Sequence, residues 1–180
     1  MAPPPEAPTP TERLEAAFRE SRDALAADLL DRVKQASPQF FEQLVLDLLT
    51  AMGYGGSIED AAKNVGRTGD GGIDGVIKED KLGLDVVYVQ AKRWGDRMVS
   101  VGDVRDFSGA LDAARARKGV FITTSRFTQD AREYVQKIEK KIVLIDGRQL
   151  AELMIDHDVG VTVVQTYKLK RVDSDYFESE

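Results

Sequence analysis

Three residue types that cooperate in phosphate chemistry stand near the middle of the chain. Asp74 closes the run Gly71-Gly72-Ile73-Asp74-Gly75, and an amide and a lysine follow in Val89-Gln90-Ala91-Lys92. Successive strand side chains alternate faces, so Gln90 and Lys92 point the same way. The turn-rich Lys78-Glu79-Asp80-Lys81-Leu82-Gly83 lets strands at about 73–78 and 84–92 pair as a hairpin, which brings Asp74 near both. A carboxylate, an amide oxygen and a lysine converging on one face suit a divalent cation and a water that attacks a phosphodiester.

Each residue also has an ordinary reading. Aspartate beside glycine is a common turn residue. Lys92 could be an exposed strand-end lysine, but Val86, Val87, Tyr88, Val89 and Ala91 describe a strand buried on both faces, where an unpaired lysine is costly. Gln90 could ligate a hard cation but adds no charge, so such a site needs negative charge from elsewhere. Asp70 reads better as a solvated loop acid. The glycines from Gly66 to Gly75 lack the GxxxxGK[ST] spacing and precede a strand, which argues against a nucleotide loop.

Several elements must position these residues. Thr9-Pro10-Thr11-Glu12 starts a helix, with Thr9 as N-cap and Glu12 completing a capping box. A broken stripe of Leu14, Phe18, Leu25, Leu29 and Val33 carries it to about Gln35. Ser37-Pro38 opens a second helix that Gly53 closes, with Phe41, Val45, Leu48, Leu49 and Met52 toward a core. After the hairpin, Ser100 and Asp103 cap a helix reaching about Arg117, stopped by Gly119. A strand at 120–124, a helix from Thr128 to about Lys140, a strand at 141–145, a helix at about 148–157 and a strand at about 161–171 complete the pattern. The fold class is α/β, a mixed sheet flanked by helices. Residues 1–10 form a disordered Pro-rich tail, 11–36 a linker or packing helix, and 37–178 the main domain.

Composition narrows the function. At 180 residues the chain is one domain with a short appendage, and 42% apolar residues suffice for a core. With no cysteine, disulfides and thiolate metal sites are excluded, which fits a cytoplasmic location. No apolar run has the length of a membrane span, and the amino terminus lacks an apolar signal region. The single histidine, His157, leaves almost no material for histidine-based catalysis. The net charge is −6, yet residues 90–141 hold 12 Lys/Arg against 7 Asp/Glu. Such a basic face can hold a phosphate backbone. Arg93, Arg97, Arg115, Arg117, Lys118 and Arg126 are its candidate phosphate contacts, and Trp94 could stack on a base or shield the core. Thr123-Thr124-Ser125 fits turn and cap chemistry as well as a site. No separate base-reading module stands out, so weak, salt-dependent binding to phosphates is expected.

The motif does not stand alone. Phe41-Glu42-Gln43-Leu44-Val45, Met52-Gly53-Tyr54-Gly55-Gly56, Gly119-Val120-Phe121-Ile122-Thr123-Thr124-Ser125, Leu144-Ile145-Asp146-Gly147 and Asp173-Ser174-Asp175-Tyr176-Phe177 surround it in order. Together these strings resemble the Mrr-like branch of the PD-(D/E)xK nucleases, in which the middle acid is often glutamine, over roughly residues 37–178. The resemblance implies a restriction-endonuclease-like core and a DNA endonuclease that restricts foreign or modified DNA, as type IV enzymes do. It implies magnesium or manganese held by Asp74, Gln90, Glu42 and the Ala91 carbonyl, with Lys92 near the attacking water. Its implied partner is DNA, and because cutting both strands calls for two active sites, a transient homodimer on the duplex is the expected assembly. The alternative is a catalytically silent module of the same fold that binds nucleic acid or a protein.

Overall fold

The structure is a computed structural model that describes residues 7–55, 73–80 and 85–178. The first helix, α1 (Pro10–Gln35), is closed at its start by the expected reciprocal capping box of Thr9 and Glu12. The second, α2 (Pro38–Ala51), is capped by the Ser37 hydroxyl and ends before Gly53, whose φ of +99° only glycine adopts cheaply. Four strands follow: β1 (Gly75–Lys78), β2 (Val86–Lys92), β3 (Lys118–Thr123) and β4 (Lys141–Ile145). Between and after them lie α3 (Val101–Ala113), α4 (Gln129–Lys137), α5 (Gly147–Asp156) and the short α6 (Ser174–Glu178).

The strands form one sheet in the order β1-β2-β3-β4, with β1 antiparallel to β2 and the other pairs parallel. Parallel neighbours need a crossover, and α3 and α4 supply the two. Both lie on one face of the sheet, over Phe121 and Ile142, where Val104, Phe107 and Leu111 of α3 are buried. The other face carries α2, α5 and the second half of α1, packed on Ile77, Val87, Val89, Ile122 and Ile145. The expected mixed sheet flanked by helices is therefore the observed architecture.

The stripe on α1 divides. Leu29 and Val33 are buried in the core and α1 lies along α5, where Arg22 reaches Asp156 at 2.6 Å. Leu14, Phe18 and Leu25 stay exposed. The helix is thus part of the body over its second half.

Two expectations fail. The helix expected to reach Arg117 ends at Ala113, and Arg115 takes a left-handed φ of 55° just beyond it. Gly119 lies inside β3, where a Cβ would meet the Phe107 ring at 2.8 Å. The glycine signals tight helix–sheet packing, not a helix stop. The strand expected at about 161–171 is also not formed. Those residues have no ladder partner among the described residues and are almost wholly exposed. Their β-branched alternation supplies a propensity, but a strand exists only with an edge to pair against.

Candidate active site

The antiparallel register decides where the acid falls. Gly75 pairs with Val89, so Asp74 comes opposite Gln90. Two bonds fix it: the Asp74 N–H donates to the Val89 carbonyl at 2.8 Å, and the Ala91 N–H donates to Asp74 Oδ2 at 2.7 Å. One carboxylate oxygen is thereby tied to β2 and the other is left for the site.

Gln90 is 5% exposed, and its Oε1 is buried with no hydrogen-bond partner among the described residues. A buried amide oxygen without a donor is unusual, because the desolvated acceptor costs about 1–3 kcal/mol. Lys92 is half-buried on the same side of β2. Its carbonyl is clamped by the Thr123 hydroxyl at 2.9 Å and the Thr124 N–H at 3.3 Å.

Glu42 arrives from α2. Leu46 packs so close to Gly75 that a Cβ there would lie 3.3 Å from its Cδ2. Glu42 is one turn earlier on the same face of α2, which carries it toward Asp74. Its carboxyl is held above the ordinary value of 4.5, chiefly by burial, with the Asp74 charge adding to the rise and Lys92 opposing it. Glu42, Asp74 and Lys92 thus sit within electrostatic reach of one another. The Lys92 charge also reaches Asp103. Burial works against that carboxylate, but hydrogen bonds from Ser100 and the charges of Arg97 and Lys92 outweigh it and lower its pKa.

The described residues contain no group of three or more His, Cys, Asp or Glu side chains able to hold a metal. Here two acids and one unsatisfied amide oxygen stand together, a donor set of hard oxygens suited to a cation such as magnesium or manganese. Ala91, whose carbonyl was an expected ligand, is buried between Gln90 and Lys92. Asp70 and the glycines from Gly56 to Gly72 lie outside the described residues.

The candidate phosphate contacts do not form one patch. Arg97 and Arg126 are exposed near the carboxyl ends of β2 and β3, beside the site. Arg97 lies over the Trp94 ring at 4.2 Å and bonds Asp103 at 3.2 Å. Arg115, Arg117 and Lys118 lie at the other end of β3. Since Tyr88 pairs with Gly119 and Lys92 with Thr123, about 13 Å of strand separates them from the site. Lys118 is also paired with Glu79 at 2.5 Å and Asp85 at 3.1 Å. Arg93 turns inward and donates to the Lys34 carbonyl in the last turn of α1 at 2.6 Å. These four are therefore remote or already engaged.

Two supports hold the site; the sequence offered Thr123-Thr124-Ser125 for either turn or site chemistry, and the role of Asp146 was missed. Thr123 and Thr124 are buried and staple β3 to the end of β2, with the Thr124 hydroxyl donating to the Trp94 carbonyl at 2.6 Å. Asp146 caps α5 reciprocally with Gln149, and the Gly147 N–H donates to the Ser125 carbonyl at 2.8 Å. The D-x-x-Q spacing before an apolar run was the available signal for the second.

Known proteins bear on this arrangement. Residues 33–154 match the family model described as restriction endonuclease. The type IV methyl-directed restriction enzyme EcoKMrr of Escherichia coli (strain K12) is 50% identical over 170 residues, which are 94% of this chain and 55% of that protein. The chain thus spans about half the length of the curated relative it matches. Among solved structures, the MspJI restriction endonuclease in complex with a 27-mer oligonucleotide superposes with a TM-score of 0.51 over 86% of this chain and 35% of that one. At 22% identity that likeness concerns the fold.

Proposed function

The chain belongs to the restriction endonuclease family, and from that premise we propose that it hydrolyses phosphodiester bonds of DNA with a divalent cation held where Asp74, Gln90 and Glu42 meet. The observation that carries the reading is the buried, unpartnered Gln90 Oε1 opposite Asp74. An acceptor kept without a donor in a desolvated position fits a ligand atom waiting for a cation, and a cation would offset the cost of burying it.

Asp74 supplies the charged oxygen that the Ala91 N–H leaves free. Glu42 supplies a second charge; burial chiefly, and the Asp74 charge after it, hold its carboxyl above the ordinary value. The Ala91 carbonyl completes the proposed donor set. A bound magnesium or manganese ion would supply Lewis-acid polarisation of the phosphate and of water at neutral pH. Lys92 is positioned to donate to a phosphate oxygen as charge builds there, held by the threonine clamp on its carbonyl and balanced between Glu42 and Asp103.

DNA binding in this reading rests on phosphate contacts near the site, from Arg97 and Arg126, and carries little base information. The curated relative is named as methyl-directed; we place methyl recognition outside the residues described here. Cutting both strands takes two hydrolyses, which a homodimer on the duplex would supply together. The test is incubation of the purified chain with methylated and unmethylated plasmids, with magnesium, with manganese and with chelator. Metal-dependent nicking or cutting of both plasmids supports the proposal. Cutting that ignores chelator removes the metal from it, and a large methyl preference that survives high salt shows that these residues read the modified base.

A further inference from the structure

Residues 161–178 form an arm whose sequence contradicts its surroundings. It leaves the body at Gly160, where φ is +71°, and then exposes Val163, Val164, Tyr167, Leu169, Val172, Tyr176 and Phe177. Those seven are half of the fourteen exposed large apolar residues among the described residues. Phe177 is 72% exposed and Val164 93%. Monomeric proteins rarely leave such a contiguous apolar surface in water. The segment 161–172 has strand-type composition without a ladder partner among the described residues, and the tip places Tyr176 and Phe177 edge to face at 5.2 Å.

The same chain carries a matching surface. Among the described residues β4 is an edge strand, paired only with β3, and its Val143 is 49% exposed. Beside it, on the α2 face, lies an open apolar cleft of about 350 Å³ lined by Leu49, Met52, Tyr54, Val120, Val143 and Ile145. Lys118, Lys141 and Glu79 stand at its rim, with Lys118 paired to Glu79 and Asp85. Lys141 is exposed and has no ion pair among the described residues. The arm tip has the opposite charge, with Asp173, Asp175 and Glu178 around the aromatic pair. Cleft and tip therefore match in polarity, and Lys141 offers the acidic tip one opposite charge.

We propose that the arm of one copy docks on a second copy of this chain, with Phe177 and its neighbours in the apolar cleft beside β4 and the strand-type segment along the free β4 edge. Adding a strand to an exposed edge is an established mode of association. Arm and cleft are both present in one chain and are not engaged with each other, so reciprocal exchange satisfies both and closes a two-fold dimer. Reach is sufficient, since Val161 to Phe177 extended spans about 50 Å. Area is sufficient too. Seven large side chains at roughly 100 Å² each, given twice, approach the ~1,600 Å² of a standard interface.

The inference does not depend on the nuclease reading, because its readout is mass. Light scattering and sedimentation of the intact chain at tens of micromolar should give about twice 19.9 kDa. Leu169→Ser with Phe177→Ser should weaken the dimer by about 100-fold while leaving the thermal melt unchanged at concentrations where both proteins are monomeric, since both side chains are solvent-exposed. Lys141→Glu should weaken it less, and adding Asp175→Lys should restore part of the loss. A wild-type chain that is monomeric at about 100 μM overturns the proposal. So does a dimer indifferent to the arm substitutions, a charge swap without recovery, or a monomer whose arm amides are protected from exchange because the arm folds onto its own cleft.

Discussion

Replacing Gln90 by methionine should make the metal-free protein more stable and less able to bind metal. The side chain is 5% exposed and its Oε1 has no donor, so wild type carries the cost of a desolvated acceptor, about 1–3 kcal/mol. Methionine has similar length and no such oxygen, and its flexibility lets it fill the same space. Allowing for imperfect packing, the expected gain is about 1–2 kcal/mol, or roughly 2–8 °C in Tm for a domain of this size. Thermal and urea melts in chelator measure the gain, and calorimetry with magnesium and manganese measures the loss of affinity. Gln90→Glu should do the reverse. It buries a third carboxylate beside Asp74 and Glu42, lowering metal-free stability by about 2 kcal/mol or more, and a bound cation should return most of that loss. A Gln90→Met protein less stable than wild type, with metal affinity unchanged, would refute the reasoning and make Gln90 a packing residue.

Glu42→Gln should stabilise the metal-free protein at neutral pH while weakening metal binding. The folded pKa of Glu42 is raised, so wild type loses stability as pH rises from the ordinary value of 4.5 through the raised one; the variant's advantage should vanish below 4.5 and be full once the pH exceeds the raised value, as melts from acid to neutral pH will show. Arg93→Ala should cost about 1 kcal/mol in urea unfolding, because the Lys34 carbonyl loses its donor and β2 loses its tie to α1. Gly147→Ala should cost about 2 kcal/mol or more, since a Cβ would collide with the Thr124 carbonyl, and Gly119→Ala about 1–3 kcal/mol from the collision with the Phe107 ring. Urea unfolding of both variants measures these costs.

Much of this arrangement was legible because it rests on local rules. The caps at Thr9, Ser37, Ser100 and Thr128 are visible as hydroxyls before helical runs, and all four accept the N–H that the rule assigns. Strand parity put Gln90 and Lys92 on one side, and the hairpin put Asp74 beside them. Glu42 joined on the family resemblance, since nothing local tells a helical glutamate at a site from a solvated one. Tertiary facts were not legible. Gly119 looked like a helix stop because glycine often is one, but the Phe107 ring, twelve residues earlier in the chain, is what excludes a side chain there. Arg93 looked like a phosphate contact because its charge is visible and its Lys34 partner, distant in sequence, is not. The 161–171 segment looked like a strand because its alternation is real, but among the described residues it pairs with no strand of the sheet.

The central claim is that Asp74 serves metal-dependent cleavage, and Asp74→Asn tests it most directly. Asparagine keeps an oxygen to accept from the Ala91 N–H, whereas alanine would leave that donor unpaired and confuse lost chemistry with lost structure. Plasmid cleavage by wild type and Asp74→Asn should be timed in magnesium, with melting curves of both proteins alongside. The account predicts cleavage by wild type that chelator abolishes, and at least a 100-fold slower rate for Asp74→Asn at unchanged Tm. Equal rates for the two proteins, or cleavage that persists in chelator, would contradict it.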